Sequence, residues 1–257
     1  MAKNLEFFLV ALPGLEDLVA RELSEWFPDI ESKTEHGGVT VSVPMNIGLA
    51  MNLCLKTPTR VLMRVDRFRC RDFPKLYNKV LHFDWSDWLE PDSELDVEVA
   101  TRLSRVKIKS RIVDTVLDAW MDRARENAVT FKRGKKATLF VRFHEDECTL
   151  SLDTSGERLH KRGLREFVGE APLRETIAAA LIQWVGELDP EAKDVEVIDP
   201  MMGAGTFLLE AAVRDRLVDR REFAFGAFPA NSLNEPKPPK GRPQLARLTG
   251  FEADAKT

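Results

Sequence analysis

The chain opens with an apolar run, Leu5 to Leu12, that Pro13-Gly14 ends. A run of this length bounded by turn residues predicts a buried strand. Leu15, Leu18, Val19, Leu23 and Trp26 then recur at the spacing of one helix face, and Pro28 stops that helix. After the turn signal Gly37-Gly38, Val39, Val41 and Val43 alternate with Thr40 and Ser42, the period of a half-buried strand. Asn46 to Leu55 reads as a second short helix and Thr59 to Phe68 as a third strand. Strand, helix, strand, helix, strand predicts a small α+β unit of ferredoxin-like character over 1–70.

A second α+β unit is expected over 71–156. Phe73 to Val80 is a helix, with Trp85 and Trp88 packed beside it. Leu95, Val97 and Val99 alternate as a strand. Ile112, Val113, Val116, Leu117, Trp120 and Met121 form one apolar helical stripe, and its first turns are expected to carry Arg105, Lys107, Lys109 and Arg111. Leu139 to Phe143 and Cys148 to Leu152 flank the polar turn His144-Glu145-Asp146-Glu147 as a hairpin. A third unit occupies 157–257. It holds an apolar helix from Pro172 to Val185, a strand Val195–Asp199, a loop and a helix from Phe207, and a second strand Arg247–Phe251 ending at Glu252. Five prolines between Pro229 and Pro243 mark a loop. The tryptophans at 85, 88, 120 and 184 are expected in the core.

Composition narrows the class. The hydrophobic fraction is 44% over 257 residues, ordinary for a globular chain. No stretch approaches the roughly 20 apolar residues that span a bilayer, and Phe7 to Leu12 is too short for a secretory signal, so a cytoplasmic location is expected. Cys54, Cys70 and Cys148 are widely spaced, no CxxC occurs, and the four histidines are scattered. Reduced thiols rather than zinc or disulfides are expected. The net charge is −4. Between Thr101 and Lys136, however, eleven basic residues stand against four acidic ones, a local +7. Such a patch attracts nucleic acid whatever the total charge.

The segment Val197 to Ala212 carries the chemistry. A strand ends in Asp199, Pro200 to Thr206 turns through Gly203 and Gly205, and a helix follows. Both glycines can take positive φ and admit a ligand to the backbone. The helix start offers N–H groups and a partial positive charge to a carboxylate. A dinucleotide fingerprint would place a third glycine at Leu208, and a P-loop would end in Gly-Lys-Ser/Thr; neither is present. Glu252, at the end of the later strand, suits a ribose diol. A ligand with a ribose, a free amino-acid group and no phosphate meets these demands, and S-adenosylmethionine is one. A structural strand–turn–helix corner without ligand is the alternative.

Asp199-Pro200-Met201-Met202-Gly203-Ala204-Gly205-Thr206-Phe207-Leu208-Leu209-Glu210-Ala211-Ala212 resembles the D-P-[FM]-C-G-S-G-T-x-x-I-E-A-A segment of RNA methyltransferases that modify the guanine 2-amino group. Leu159-His160-Lys161-Arg162-Gly163-Leu164-Arg165 is similar to their L-H-K-R-G-Y-R. Ala171-Pro172-Leu173-Arg174-Glu175-Thr176 to Leu181 is similar to their A-P-L-[KR]-E-T-L-A-A-A-[LI]. The bacterial large-subunit ribosomal RNA members, the RlmL type, carry a ferredoxin-like unit and a THUMP domain ahead of a Rossmann-like class I methyltransferase domain. The resemblance extends over the whole chain. It implies S-adenosylmethionine as cofactor, with Asp199, Pro200, Gly203, Gly205 and Thr206 at its methionine end and Glu252, or its rival Asp254, at the ribose.

The same resemblance implies RNA, ribosomal in particular, as partner. Arg105, Lys107, Lys109, Arg111, Lys132, Arg133, Lys135, Lys136, His160, Lys161, Arg162 and Arg165 are the candidate contacts. Catalysis in this family uses an Asn/Asp-Pro-Pro-Tyr/Phe sequence that accepts from the guanine amino group and stacks on the base. No such sequence occurs here; Pro238-Pro239 lies between lysines. The chain by itself is therefore expected to be inactive, and to be part of a longer enzyme or a half completed by a partner. A transfer-RNA guanine methyltransferase of related layout and a non-catalytic THUMP RNA-binding module remain alternatives.

Overall fold

The structure is a computed structural model. It describes residues 3–89, 93–126, 136–163, 173–186, 194–218, 221–228, 236–237 and 244–252. In chain order the elements are β1 (Asn4–Val10), α1 (Glu16–Trp26), β2 (Ser32–Glu35), β3 (Gly38–Pro44), α2 (Met45–Cys54), β4 (Arg60–Arg69), α3 (Phe73–Leu81), β5 (Glu94–Arg102) and α4 (Lys109–Glu126). They continue with β6 (Lys136–His144), β7 (Glu147–Asp153), α5 (Glu175–Gly186), β8 (Asp194–Asp199), α6 (Thr206–Val213) and β9 (Gln244–Gly250). Two compact units result. One gathers 1–61, 157–221 and 233–257; the other holds 62–156 and 222–232.

In the first unit β3 pairs antiparallel with β1, from Asn4↔Pro44 to Val10↔Gly38, and with β2. Thr59 donates to the Val10 carbonyl at 2.7 Å, setting the entry to β4 beside the end of β1. The βαββαβ order is that of a ferredoxin-like fold. The expected strands and helices are present. The sequence reading missed β2, whose Ser-Lys-Thr-Glu has no apolar alternation and is a strand through its pairing with β3. Val19, Leu23 and Trp26 of α1, Phe7 and Leu9 of β1, Val39 and Val41 of β3 and Leu49 of α2 are buried; α1 packs on β3, and α2 packs on β1 and β3. From 157 onward the chain returns to this unit: the Leu159 N–H donates to Thr59, and Gln183 on α5 donates to Glu25 on α1 at 2.7 Å. β8 and β9 pair in parallel, from Asp194↔Gln244 to Asp199↔Gly250.

Within this unit four ionisable side chains are buried together: Glu22, Lys56, Arg162 and Glu210. Glu22 accepts from the Lys56 N–H, the Thr57 N–H and the Thr57 hydroxyl. Lys56 Nζ donates to the Arg216 carbonyl at 2.7 Å. Arg162 Nε reaches both Glu210 oxygens, at 3.1 and 3.2 Å, Nη2 donates to the Lys56 carbonyl at 2.7 Å, and Nη1 donates to the Leu159 carbonyl. Burial pushes the Glu210 carboxyl up, against the pull of Arg162.

Burial, with Arg162 adding to it, lowers the Lys56 ammonium from 10.5 to about 8. An unfolded lysine titrates near about 10.4. Between about pH 8 and 10 the unfolded chain thus binds the extra proton, and stability rises with pH through this group. Denaturant melts at pH 7.5 and 9.5 are expected to show that rise in the parent and a flatter response in Lys56→Met. Equal responses would remove Lys56 as its source.

The second unit has strand order β4–β7–β6–β5, with β5 and β6 parallel and the other pairs antiparallel. α3 and α4 pack together, and Tyr77 donates to Asp122 across them at 2.6 Å. Asp72 caps α3 by accepting from the Lys75 N–H. Trp85 meets Trp120 edge-on at 5.4 Å and both are buried, as expected. Trp184 differs: it is 52% exposed, because nothing among the described residues covers the end of α5. All three cysteines are free and buried. Among the described residues no helix is long and apolar enough to cross a membrane, and no group of acidic, cysteine and histidine side chains gathers to hold a metal.

Candidate cofactor loop and nucleic-acid interface

The loop between β8 and α6 is built from its own backbone. Asp199 is half-buried at the strand end, and its Oδ1 accepts from the Met201 N–H at 3.1 Å. Gly203 (φ 50) and Gly205 (φ 69) both lie in the left-handed region, Gly205 as the residue before the helix. A side chain would strain either position. The neighbouring strand end zips onto the loop: Phe251 N–H donates to Asp199 O, Met202 N–H to Phe251 O, and Gly203 N–H to Glu252 Oε2 at 2.6 Å. At Gly250 a Cβ would lie 2.3 Å from Met202 Sδ, so the loop packs directly on that backbone.

The sequence-predicted residues Asp199, Pro200, Gly203, Gly205, Thr206 and Glu252 thus stand together. Asp254 lies outside the described residues. The donor set fits an amino-acid-and-ribose ligand: a carboxylate for an ammonium, a helix start for a carboxylate, and a second carboxylate for a diol. No lysine of the P-loop kind serves a phosphate in the loop's sequence. The register puts Ile198 (58% exposed) and Leu248 (37% exposed) on opposite faces of the β8–β9 pair.

The basic surface of the second unit is broader than the sequence patch. α4 begins only at Lys109, so Arg105 and Lys107 lie in the loop before it and not on its first turns, a correction to the periodicity reading. Leu103 in that loop has φ 51 and is 71% exposed. Arg102, Leu103, Ser104, Arg105 and Lys107 line an open depression with Asp146. Asp146 organises it, accepting from the Arg105 N–H and from Arg71, which together hold its carboxyl below the usual range. Arg111 lies 4.1 Å over the Phe73 ring, while Lys109 and Lys136 are exposed.

The strands add Arg67, Arg69 and Arg142, which sequence reasoning missed, to Arg102 of the basic patch. Register aligns Arg67, Thr149, Arg142 and Ala100 in one row across β4, β7, β6 and β5, and Arg69, Glu147, His144 and Arg102 in the next. Residues paired in register share a sheet face. Arg67, Arg69, Arg102 and Arg142 are exposed on it. The signal was present as a basic residue at alternate strand positions, but only register joins strands so far apart in sequence.

Lys132, Arg133, Lys135 and Arg165 lie outside the described residues. In the first unit Lys161 is exposed and pairs with Glu157 at 2.9 Å. Burial holds the half-buried His160 imidazole below its usual range. Arg162 is the clear correction: expected at RNA, it is 1% exposed and saturated by Glu210 and two carbonyls.

Residues 6–62 match the RlmL ferredoxin-like domain, 70–153 the THUMP domain and 162–257 the RMKL-like methyltransferase domain. The ribosomal RNA large subunit methyltransferase K/L of Pseudomonas syringae pv. tomato is 32% identical over 222 residues, covering 83% of this chain and 29% of that protein. The chain therefore spans about 29% of the length of such relatives. A crystal structure of a predicted N6-adenine-specific DNA methylase from Listeria monocytogenes superposes with a TM-score of 0.81 and 27% identity, over 99% of this chain and 69% of that one. The crystal structure of SMU.472 complexed with SAH shares the fold, with a TM-score of 0.81 and 24% identity over 100% of this chain and 70% of that one.

Proposed function

Because the chain belongs to the THUMP-containing methyltransferases of RlmL type, we propose that it forms the RNA-docking part and the first cofactor-binding elements of an enzyme that methylates the 2-amino group of a guanine in 23S ribosomal RNA. The observation that carries this reading is the left-handed Gly203/Gly205 loop, flanked by Asp199 and Glu252, in a chain with a THUMP domain. The cofactor is S-adenosylmethionine, whose sulfonium supplies the methyl group. Asp199 holds its amino group, the first turn of α6 its carboxylate, and Glu252 its ribose after releasing the Gly203 N–H. The working division is 1–70 for the ferredoxin-like part, 71–156 for RNA docking and 157–257 for the cofactor, in a cytoplasmic enzyme.

The acceptor amine needs a polar group and a stacking ring to orient it. This sequence lacks the Asn/Asp-Pro-Pro-Tyr/Phe segment that its family uses. We assign that role to a further methyltransferase segment seated on β8 and β9. A parallel sheet is normally covered on both faces, and the exposure of Ile198, Leu248 and Phe251 supports this.

Gly205→Val is expected to weaken SAH binding by about 10–100-fold, the equivalent of about 1–3 kcal/mol of left-handed strain, measured by calorimetry on the chain with its full methyltransferase segment. An unchanged affinity would remove the loop from the cofactor site. The reaction is tested with that protein on 23S transcripts, total tRNA and duplex DNA, followed by nucleoside mass spectrometry. N2-methylguanine in 23S RNA supports the proposal. Label confined to tRNA guanine or to DNA adenine overturns the substrate, and RNA binding without any methylation favours a binding module.

A further inference from the structure

We infer that Arg162, Glu210 and Lys56 are positioning residues, forming a buried ionic brace through which the N-terminal ferredoxin-like part sets the placement of the cofactor helix α6. The inference rests on the cofactor reading of the β8–α6 loop.

Burying four ionisable groups is costly, and a pair of apolar side chains of similar volume would often hold such a core as well. What the ionic version adds is direction. Arg162 presents a planar fork whose donors point along set lines. Here one edge grips the Glu210 carboxylate and the remaining donors take the Lys56 and Leu159 carbonyls. Glu210 lies four residues after Thr206, about 6 Å along the helix from its start. Fixing Glu210 therefore fixes the turn whose N–H groups face the ligand.

The far end of the helix is held from the same place. Lys56 Nζ donates to the carbonyl of Arg216, just after α6, and the Val218 N–H donates to the Leu53 carbonyl. Lys56 is itself seated by Glu22 of α1, which accepts from its backbone N–H. Thus two points on the α6 segment, Glu210 and Arg216, are tied to one residue between α2 and β4. The loop before α6 is otherwise tied to Phe251 and Glu252. The N-terminal part is on this view a scaffold for cofactor binding as well as a companion of the RNA-docking unit.

The test uses hydrogen exchange by mass spectrometry on the whole chain, with SAH calorimetry beside it. Arg162→Met/Glu210→Leu removes both charges together and avoids an unpaired buried ion. Its peptides over 203–213 are expected to exchange at least tenfold faster than the parent's, with β1 and β3 unchanged. Lys56→Met is expected to act in the same direction. Val41→Ala, a cut in the same N-terminal core away from the brace, is expected to leave 203–213 unchanged. Unaltered exchange there in both brace variants, or equal acceleration by Val41→Ala, overturns the inference. SAH affinity is expected to fall at least tenfold in the double variant, and an affinity equal to the parent's also overturns it. Absence of SAH binding by the parent counts against the cofactor reading, while the exchange result still decides the brace.

Discussion

Glu210→Leu is expected to destabilise the first unit by about 3–5 kcal/mol, enough to leave much of it unfolded at 37 °C. The substitution removes the carboxylate that the Arg162 guanidinium meets at 3.1 Å while both groups are 1% exposed. Arg162 cannot lose its proton to escape, since a guanidinium stays charged in proteins. Its position, between the Leu159 and Lys56 carbonyls, gives no path to water without breaking both contacts. Adding Arg162→Met to the same chain is expected to restore about 1–3 kcal/mol, because no charge is then stranded. Recovery stays incomplete: the two carbonyls lose their donor, at about 1–3 kcal/mol for each group left unsatisfied. Urea melts of parent, both single variants and the double variant measure this. A single variant within 1 kcal/mol of the parent, or a double variant no better than the singles, would show that the pair is not the buried unit described here.

The second large effect concerns RNA. Replacing Arg67, Arg102, Lys107 and Arg142 together by Gln is expected to lower affinity for a 23S RNA fragment by about two to three orders of magnitude at 0.1 M salt. Each phosphate contact releases a counterion, at about 0.7 per contact on single-stranded nucleic acid, so the slope of log affinity against log salt should fall by about 3. Three of the four lie on one exposed sheet face through the β4–β7–β6–β5 register, and Lys107 lines the adjoining depression. Neutralising Lys109, which lies on α4 and not on that sheet face, is expected to change the slope by less than 1. Fluorescence anisotropy from 50 to 300 mM salt separates these outcomes. Equal slopes for the parent and the fourfold variant would place the RNA on another surface. The SAH affinity of the fourfold variant should equal the parent's, because none of the four residues belongs to the candidate cofactor loop.

Much of this protein is legible in its residues alone. The alternation of Val39, Val41 and Val43, the helical stripe from Ile112 to Met121 and the turn residues between them mark the elements, since these periodicities follow from local backbone geometry. The geometry of the candidate cofactor loop is legible for the same reason: an acid at a strand end, two glycines and a helix start are neighbours in sequence as well as in space. The position of Glu252 beside that loop follows too, because parallel strands bring their carboxyl ends to one edge.

Tertiary structure decided the rest. β2 exists because β3 offers a strand edge to four polar residues. Glu22 sits on the apolar side of α1 because the Lys56 and Thr57 N–H groups come to meet it, and nothing near residue 22 announces them. Arg162 stands in a basic run that sequence assigns to RNA, yet a carboxylate 48 residues away turns it inward. Arg67, Arg102 and Arg142 form one surface only because strand register aligns them. In each case the deciding energy is that of a charge or a backbone group satisfied by a distant partner. Periodicity reports which side of an element is apolar. It does not report which charged group a fold will bury, because that depends on what the chain brings to it from elsewhere.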